Sequence, residues 1–243
     1  MTSSRRDNRV PEQVEARVAQ RVPEQVEARV AQRAPEQLFT CDSCDSRSCT
    51  REEGGRGPGN CPAGQEELMS AALGQYKSEE LNAFYRCSVQ VAAAGKGRWP
   101  RLRETAEFAR RMGYRQLGVA FCGGLREEGR FVCAYLRRQG FTVVSVMCKT
   151  GGVSKEQAGI GDEEKAGPEN FKPMCNPIAQ AMLLNEAATE FNVMVGLCVG
   201  HDALFLKYAQ ALTTVLIAKD RALANNPVEA IRRGESCLGD VRE

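Results

Sequence analysis

The stretch Asn192-Val193-Met194-Val195-Gly196-Leu197-Cys198-Val199-Gly200-His201-Asp202 decides how this chain folds. Residues 192–197 are too few for a helix and apolar on both faces, and they run into a glycine-containing turn that ends in charged residues. A strand with no polar face belongs in a parallel sheet covered by helices on both sides. Three other runs have the same form. Residues 116–121 lead into Cys122-Gly123-Gly124, residues 141–147 into Cys148-Lys149, and residues 213–218 into Lys219-Asp220-Arg221. Helical patterns separate them at 125–139, 177–189 and 203–210. Right-handed crossovers between such strands predict a three-layer α/β sandwich with a mainly parallel, Rossmann-like sheet.

In an open sheet of this kind ligands bind at the carboxyl ends of the strands. Cys122, Cys148 and Cys198 stand at three of those ends, with His201, the chain's single histidine, close behind the third. Cys175 precedes Asn176-Pro177, which reads as the N-cap and first position of a helix, where the dipole favours a thiolate. These four cysteines are the candidate cofactor-binding or thiolate set. His201, Asp202 and Asp220 are the candidate proton carriers and carboxylates, as groups that could ligate a metal or serve a thiolate. Each has a plainer reading: buried thiols that only pack, a satisfied histidine, and an ion pair of Asp220 with Lys219 or Arg221. Cys133 lies among Phe131, Val132, Tyr135 and Leu136 and reads as core, while Cys87 and Cys237 fit no pattern.

Upstream, residues 66–94 read as one helix and 101–112 as a second, ended by Gly113. Before them comes Cys41-x2-Cys44-x4-Cys49-x11-Cys61-Pro62 in a polar, glycine-rich segment. Such a segment has no core of its own. A metal bound by Cys41, Cys44, Cys49 and Cys61 would neutralise the thiolates and fold it. Tetrahedral sulfur suits zinc or an iron–sulfur cluster, and the spacing matches neither standard ferredoxin pattern. Further upstream, residues 9–20 recur identically as 21–32 with prolines at Pro11, Pro23 and Pro35. This reads as a flexible or loosely helical extension that folding does not need. The expected organisation is therefore an extension over 1–37, a metal knuckle over 38–63 and an α/β domain over 64–235.

Thirty-three basic and 31 acidic residues leave a net charge of +2 with no block of one sign, which argues against a nucleic-acid partner. No apolar run has transmembrane length, and no apolar core follows the N-terminal arginines as a secretory signal requires. Eleven cysteines without an export signal point to a reducing cytoplasm, where thiols serve metals or catalysis.

Four segments carry a resemblance: Ala120-Phe121-Cys122-x-Gly124-Leu125, Cys148-Lys149-x-Gly151-Gly152-Val153, Met174-Cys175-Asn176-Pro177-Ile178-Ala179-Gln180-Ala181 and the opening stretch through Asp202. Together they resemble the domain-of-unknown-function 1847 family, whose members are described as predicted metal-binding proteins. The resemblance implies metal binding by cysteine and assigns no reaction. The expected function is thus a cytoplasmic metal-binding protein with a thiol-rich site at the sheet edge, acting by redox or sulfur chemistry on a small molecule. A metal carrier or a metal or redox sensor is the alternative. A nucleotide-binding reading is weaker, because Cys122-Gly123-Gly124 lacks the full glycine fingerprint.

Overall fold

The computed structural model describes residues 39–51, 57–164 and 173–238. The extension expected over 1–37 lies outside them. The chain divides into two compact units, one ending at Tyr85 and the other starting at Arg86.

The second unit carries a four-stranded, all-parallel sheet built from β1 (Gln116–Phe121), β2 (Thr142–Met147), β3 (Phe191–Val195) and β4 (Thr213–Ile217), in the order β2-β1-β3-β4. The helices that pack around it are α3 (Arg101–Arg111), α4 (Arg126–Arg138), α5 (Pro177–Glu186) and α6 (His201–Tyr208). The chain steps from β1 outward to β2, then returns past β1 to β3. Right-handed crossovers therefore place α4 on one face, and α5 and α6 together on the other. This is the three-layer arrangement expected from the sequence.

The strand residues explain both layers. Leu117, Val119, Phe191, Val193 and Val195 are buried, and alternation sets them on one face. On that face the Phe108 ring of α3 meets Phe191 at 5.4 Å between centroids. Gly118 points to the other face, opposite Asn192 in the register. A side chain at Gly118 would overlap both the Asn192 amide and Leu184 of α5. Glycine there makes room for a buried asparagine that accepts a 2.9 Å bond from Thr189 Oγ1. Both outer strands have one carbonyl taken by an arginine. Arg101 Nε donates to Val215 O of β4 at 2.8 Å, and Arg137 Nη2 to Val143 O of β2 at 3.1 Å.

Several boundaries differ from the sequence reading, and three of them have a visible local cause. The run 66–94 is two helices, α1 (Glu66–Gln75) and α2 (Glu79–Gly95), and the division between the two units falls inside α2. The break is stabilised locally: Asn82 Nδ2 donates to Tyr76 O at 2.9 Å and Ser78 Oγ to Gln75 O at 3.0 Å. Strand β3 ends at Val195 because Gly196 turns to φ +64°. The helix expected from 203 begins at His201, since the Cys198 carbonyl accepts the amides of both His201 and Asp202. Two short helices, α7 (Pro227–Arg233) and α8 (Glu235–Leu238), close the described chain.

Candidate functional site

The switch point of this sheet lies between β1 and β3, where the chain's direction of travel reverses, and crevices at such points are where α/β sheets bind ligands. Cys122 follows β1 there, and Gly196-Leu197-Cys198 follows β3. The turns are held by the sheet itself. The Cys122 amide donates to Val195 O at 3.1 Å, and the Cys148 amide to Phe121 O at 2.9 Å. Gly196 N–H reaches Ile217 O of β4 at 2.8 Å. A Cβ on Gly196 would overlap the Leu125 side chain, so only glycine fits this turn.

Cys175 arrives from a long connection after β2 and is pinned beside Cys148. The amide of Asn176 donates to Cys148 O at 2.7 Å, and Lys149 Nζ donates to Pro173 O at 2.5 Å. Asn176 caps α5, accepting the Ala179 amide on its side chain at 3.0 Å, with Pro177 in the first turn. Cys175 thus sits just outside a helix N-terminus, as its sequence context indicates.

The sulfurs form one neighbourhood. Cys148 and Cys175 share a side-chain hydrogen bond, and Cys148 Sγ also accepts the Gly123 amide at 3.2 Å. Cys122 is close enough for its charge to act on both Cys148 and Cys198, and Cys175 likewise acts on both. The hydrogen bond from Cys148 holds Cys175 well below the usual thiol range, at about 5, with Lys149 and His201 adding to the effect against burial. Cys148 is pushed up strongly, first by giving its proton to that bond and then by burial. Burial also raises Cys198, against the pull of Arg221, whose Nη2 donates to Cys198 Sγ at 3.3 Å.

The candidate residues divide by what they touch. His201 stands at the first position of α6 and acts electrostatically on Cys175. The Asp202 carboxylate accepts the Ala203 amide at 2.8 Å. The Asp220 carboxylate accepts the Leu223 amide at 2.8 Å, which supports the turn after β4. The reading of Cys133 as core holds, for it is buried in α4. Cys87 is buried too, its thiol 3.8 Å from Phe108 O.

Sequence reasoning missed the cations around the thiols. Lys149 and Arg221 each engage a site cysteine, and Lys219 Nζ lies 3.4 Å from where a Cβ on Gly124 would stand, a point 3.8 Å from Cys122 Sγ. The signal was present as a basic residue at two strand ends, directly after Cys148 and in Lys219-Asp220-Arg221. It also missed Gln180. The Nε2 of this buried residue donates to Val146 O at 2.7 Å and Phe121 O at 3.3 Å, tying together the ends of β1 and β2. A glutamine amid Ile178, Ala179, Ala181 and Met182 was the available cue.

In the first unit, Cys41, Cys44, Cys49 and Cys61 line one cavity of about 140 Å³ with Arg47, Pro58 and Asn60. Short turns at Cys41–Ser43, Ser48–Thr50 and Pro62–Gly64 position them, and Asn60 Nδ2 donates to Thr40 Oγ1 at 2.7 Å across the segment. Gly57 packs so close to Cys61 that a Cβ would come within 2.6 Å of its sulfur. Among the described residues, no three His, Cys, Asp or Glu side chains are gathered closely enough to hold a metal ion.

Residues 61–216 match the model of the family described as Protein of unknown function (DUF1847). The chain belongs to the DUF1847 family. It is also 36% identical over 191 residues to the uncharacterized protein MJ0455 of Methanocaldococcus jannaschii, covering 79% of this chain and 92% of that protein. No solved structure matches the chain. The DUF1847 span holds all four sheet-edge cysteines and His201, whereas Cys41, Cys44 and Cys49 precede it and Lys219-Asp220-Arg221 follow it. No helix among the described residues is long and apolar enough to cross a membrane.

Proposed function

We propose that this chain is a metal-binding thiol protein of the reducing cytoplasm that acts on a small anionic molecule at the sheet edge through thiolate sulfur. One observation carries the reading: Cys148 and Cys175, linked through the Asn176 amide on Cys148 O, lie beside Cys122, Cys198 and three cationic side chains at the carboxyl end of the sheet. Cys175 is the nucleophile, being half-buried where Cys148 is 3% exposed. Lys149 and His201 favour its charged form, and Lys219 and Arg221 attract the anion. His201, at the start of α6, is placed to carry the proton that leaves with the product.

The knuckle is the proposed metal site. Four thiols on one cavity are the donor set that zinc or an iron–sulfur cluster takes, with metal–sulfur bonds of about 2.3 Å. Cys41, Cys44, Cys49 and Cys61 would hold the metal, and its binding would draw the four sulfurs together and order the segment.

Rates of alkylation test the thiolate reading. A thiolate that persists to about pH 5.5 reacts there about tenfold faster than an ordinary thiol, after allowance for its weaker intrinsic nucleophilicity. Cys175 should therefore be labelled first by iodoacetamide at that pH. Its rate should stay flat as pH rises and fall as pH drops through about 5, where the thiolate takes up its proton. Iodoacetate, an anion, should gain on iodoacetamide at Cys175 relative to Cys237, which is exposed. A Cys175 rate that keeps climbing from about pH 5.5 up to the ordinary thiol range would remove the proposal.

A further inference from the structure

We infer that Cys148 and Cys175 form a reversible dithiol–disulfide couple whose substrate is a small, negatively charged disulfide, Cys175 attacking and Cys148 resolving. The inference rests on the reading of the sheet edge as a thiolate site and goes beyond it by naming the bond that forms.

Geometry selects this pair from the four sulfurs. Three hydrogen bonds fasten the segment around Cys175 to the exit of β2. These are Asn176 N–H to Cys148 O, Lys149 Nζ to Pro173 O, and Met174 N–H to Val153 O at 2.8 Å. They hold the backbone next to Cys175 on the carbonyl of Cys148, and the two side chains are near enough to act on one another. Closing the couple brings the two sulfurs to about 2.05 Å. Cys198 is committed differently, its sulfur taking a hydrogen bond from Arg221. Cys122 is held to β3 instead, its amide donating to Val195 O, and none of the three fastening bonds reaches it.

Exposure orders the roles. The half-buried Cys175 meets the incoming disulfide, and the buried Cys148 waits behind it. The Gly123 amide aimed at Cys148 Sγ, 3.2 Å away, stabilises negative charge there as that sulfur gives up its proton.

The chemistry balances without a further reagent. The Cys175 thiolate attacks one sulfur of the substrate R–S–S–R, forming a mixed disulfide and expelling RS⁻. The Cys148 sulfur then attacks Cys175, its proton passing to a departing thiolate, and the second RS⁻ leaves as the internal disulfide closes. One substrate disulfide is reduced to two thiols, and two protein thiols are oxidised to one disulfide. Lys219, Arg221 and Lys149 draw in a substrate whose R groups bear carboxylates.

The test uses the full chain, anaerobically purified and equilibrated in buffers of reduced and oxidised glutathione. Samples are acid-quenched, alkylated and peptide-mapped. The expected result is one internal disulfide, Cys148–Cys175, that appears and disappears with the buffer ratio. Cys148→Ser should instead accumulate glutathione on Cys175. Cys175→Ser should yield neither species. The wild-type map does not depend on either variant folding. An internal bond from Cys175 to Cys122 or Cys198, or no internal bond at any ratio, overturns the couple. If Cys175 nevertheless alkylates fast at about pH 5.5, the thiolate site survives that result. If it alkylates slowly there, at the rate of an ordinary thiol, both readings fall together.

Discussion

The knuckle and the sheet edge each assemble four cysteines, by opposite means. The knuckle takes them from one short segment, where consecutive turns and a few local bonds present them to a shared cavity. The sheet edge takes them from β1, β2, β3 and the connection before α5, so that strand pairing, and not sequence proximity, brings the sulfurs together. The difference teaches where the ordering free energy comes from. Thiols placed by a sheet are positioned by the core beneath them. Thiols in a core-less segment need their ligand to fix them.

That contrast can be broken most sharply at the knuckle. Cys44→Ser, or a chelator, should remove one site's share of bound metal and expose the segment to protease. The pH profile of Cys175 alkylation should not change. Metal analysis, limited proteolysis and labelling of the same sample decide it. Unaltered metal content would remove the knuckle site, and a displaced Cys175 profile would show that the two cysteine sets depend on one another.

The converse experiment strikes the sheet edge. Gly196→Ala must place a methyl group against Leu125 at φ +64°. It should cost about 2 kcal/mol, the combined scale of overpacking and left-handed strain. Thermal unfolding should show the loss, with metal content retained.

A smaller effect sharpens the role of the sheet. The Glu190 carboxylate accepts the amides of Gln116 and Arg115, each at 2.7 Å, and these bonds hold it below the usual carboxylate range. A depressed carboxylate contributes stability above its ordinary titration range, and that stability is lost as pH falls through the lowered folded value. Glu190→Gln should therefore lower the melting temperature slightly near neutrality and flatten its decline in acid. A parallel decline in both proteins would assign the acid sensitivity elsewhere.

The strands and their order of occurrence were legible because apolar runs end abruptly at cysteine, glycine or charge. Cys122, Cys148, Cys175 and Cys198 could be singled out for the same reason, since each abuts a strand's carboxyl end or a helix's amino end. Strand order was not, because β3 passes β2 to pair with β1 through contacts that no local pattern encodes. The break at 76–78 escaped as well, because the Asn82 and Ser78 side chains that stabilise it are ordinary helix-surface residues in sequence. The cations were visible as letters, but their sulfur partners emerge only after folding.

The two arginines on the outer strands have a consequence for assembly. A parallel sheet invites another strand along either flank, through the carbonyls and amides its edges leave unpaired. Here the guanidinium of Arg101 occupies one such carbonyl on β4 and that of Arg137 one on β2. An incoming peptide would have to displace a charged side chain to pair along the full length of either strand. Growth by β-augmentation is therefore disfavoured on both sides, and fibril-like stacking of copies with it. The carboxyl rim, with its sulfurs, is left as the face open to exchange.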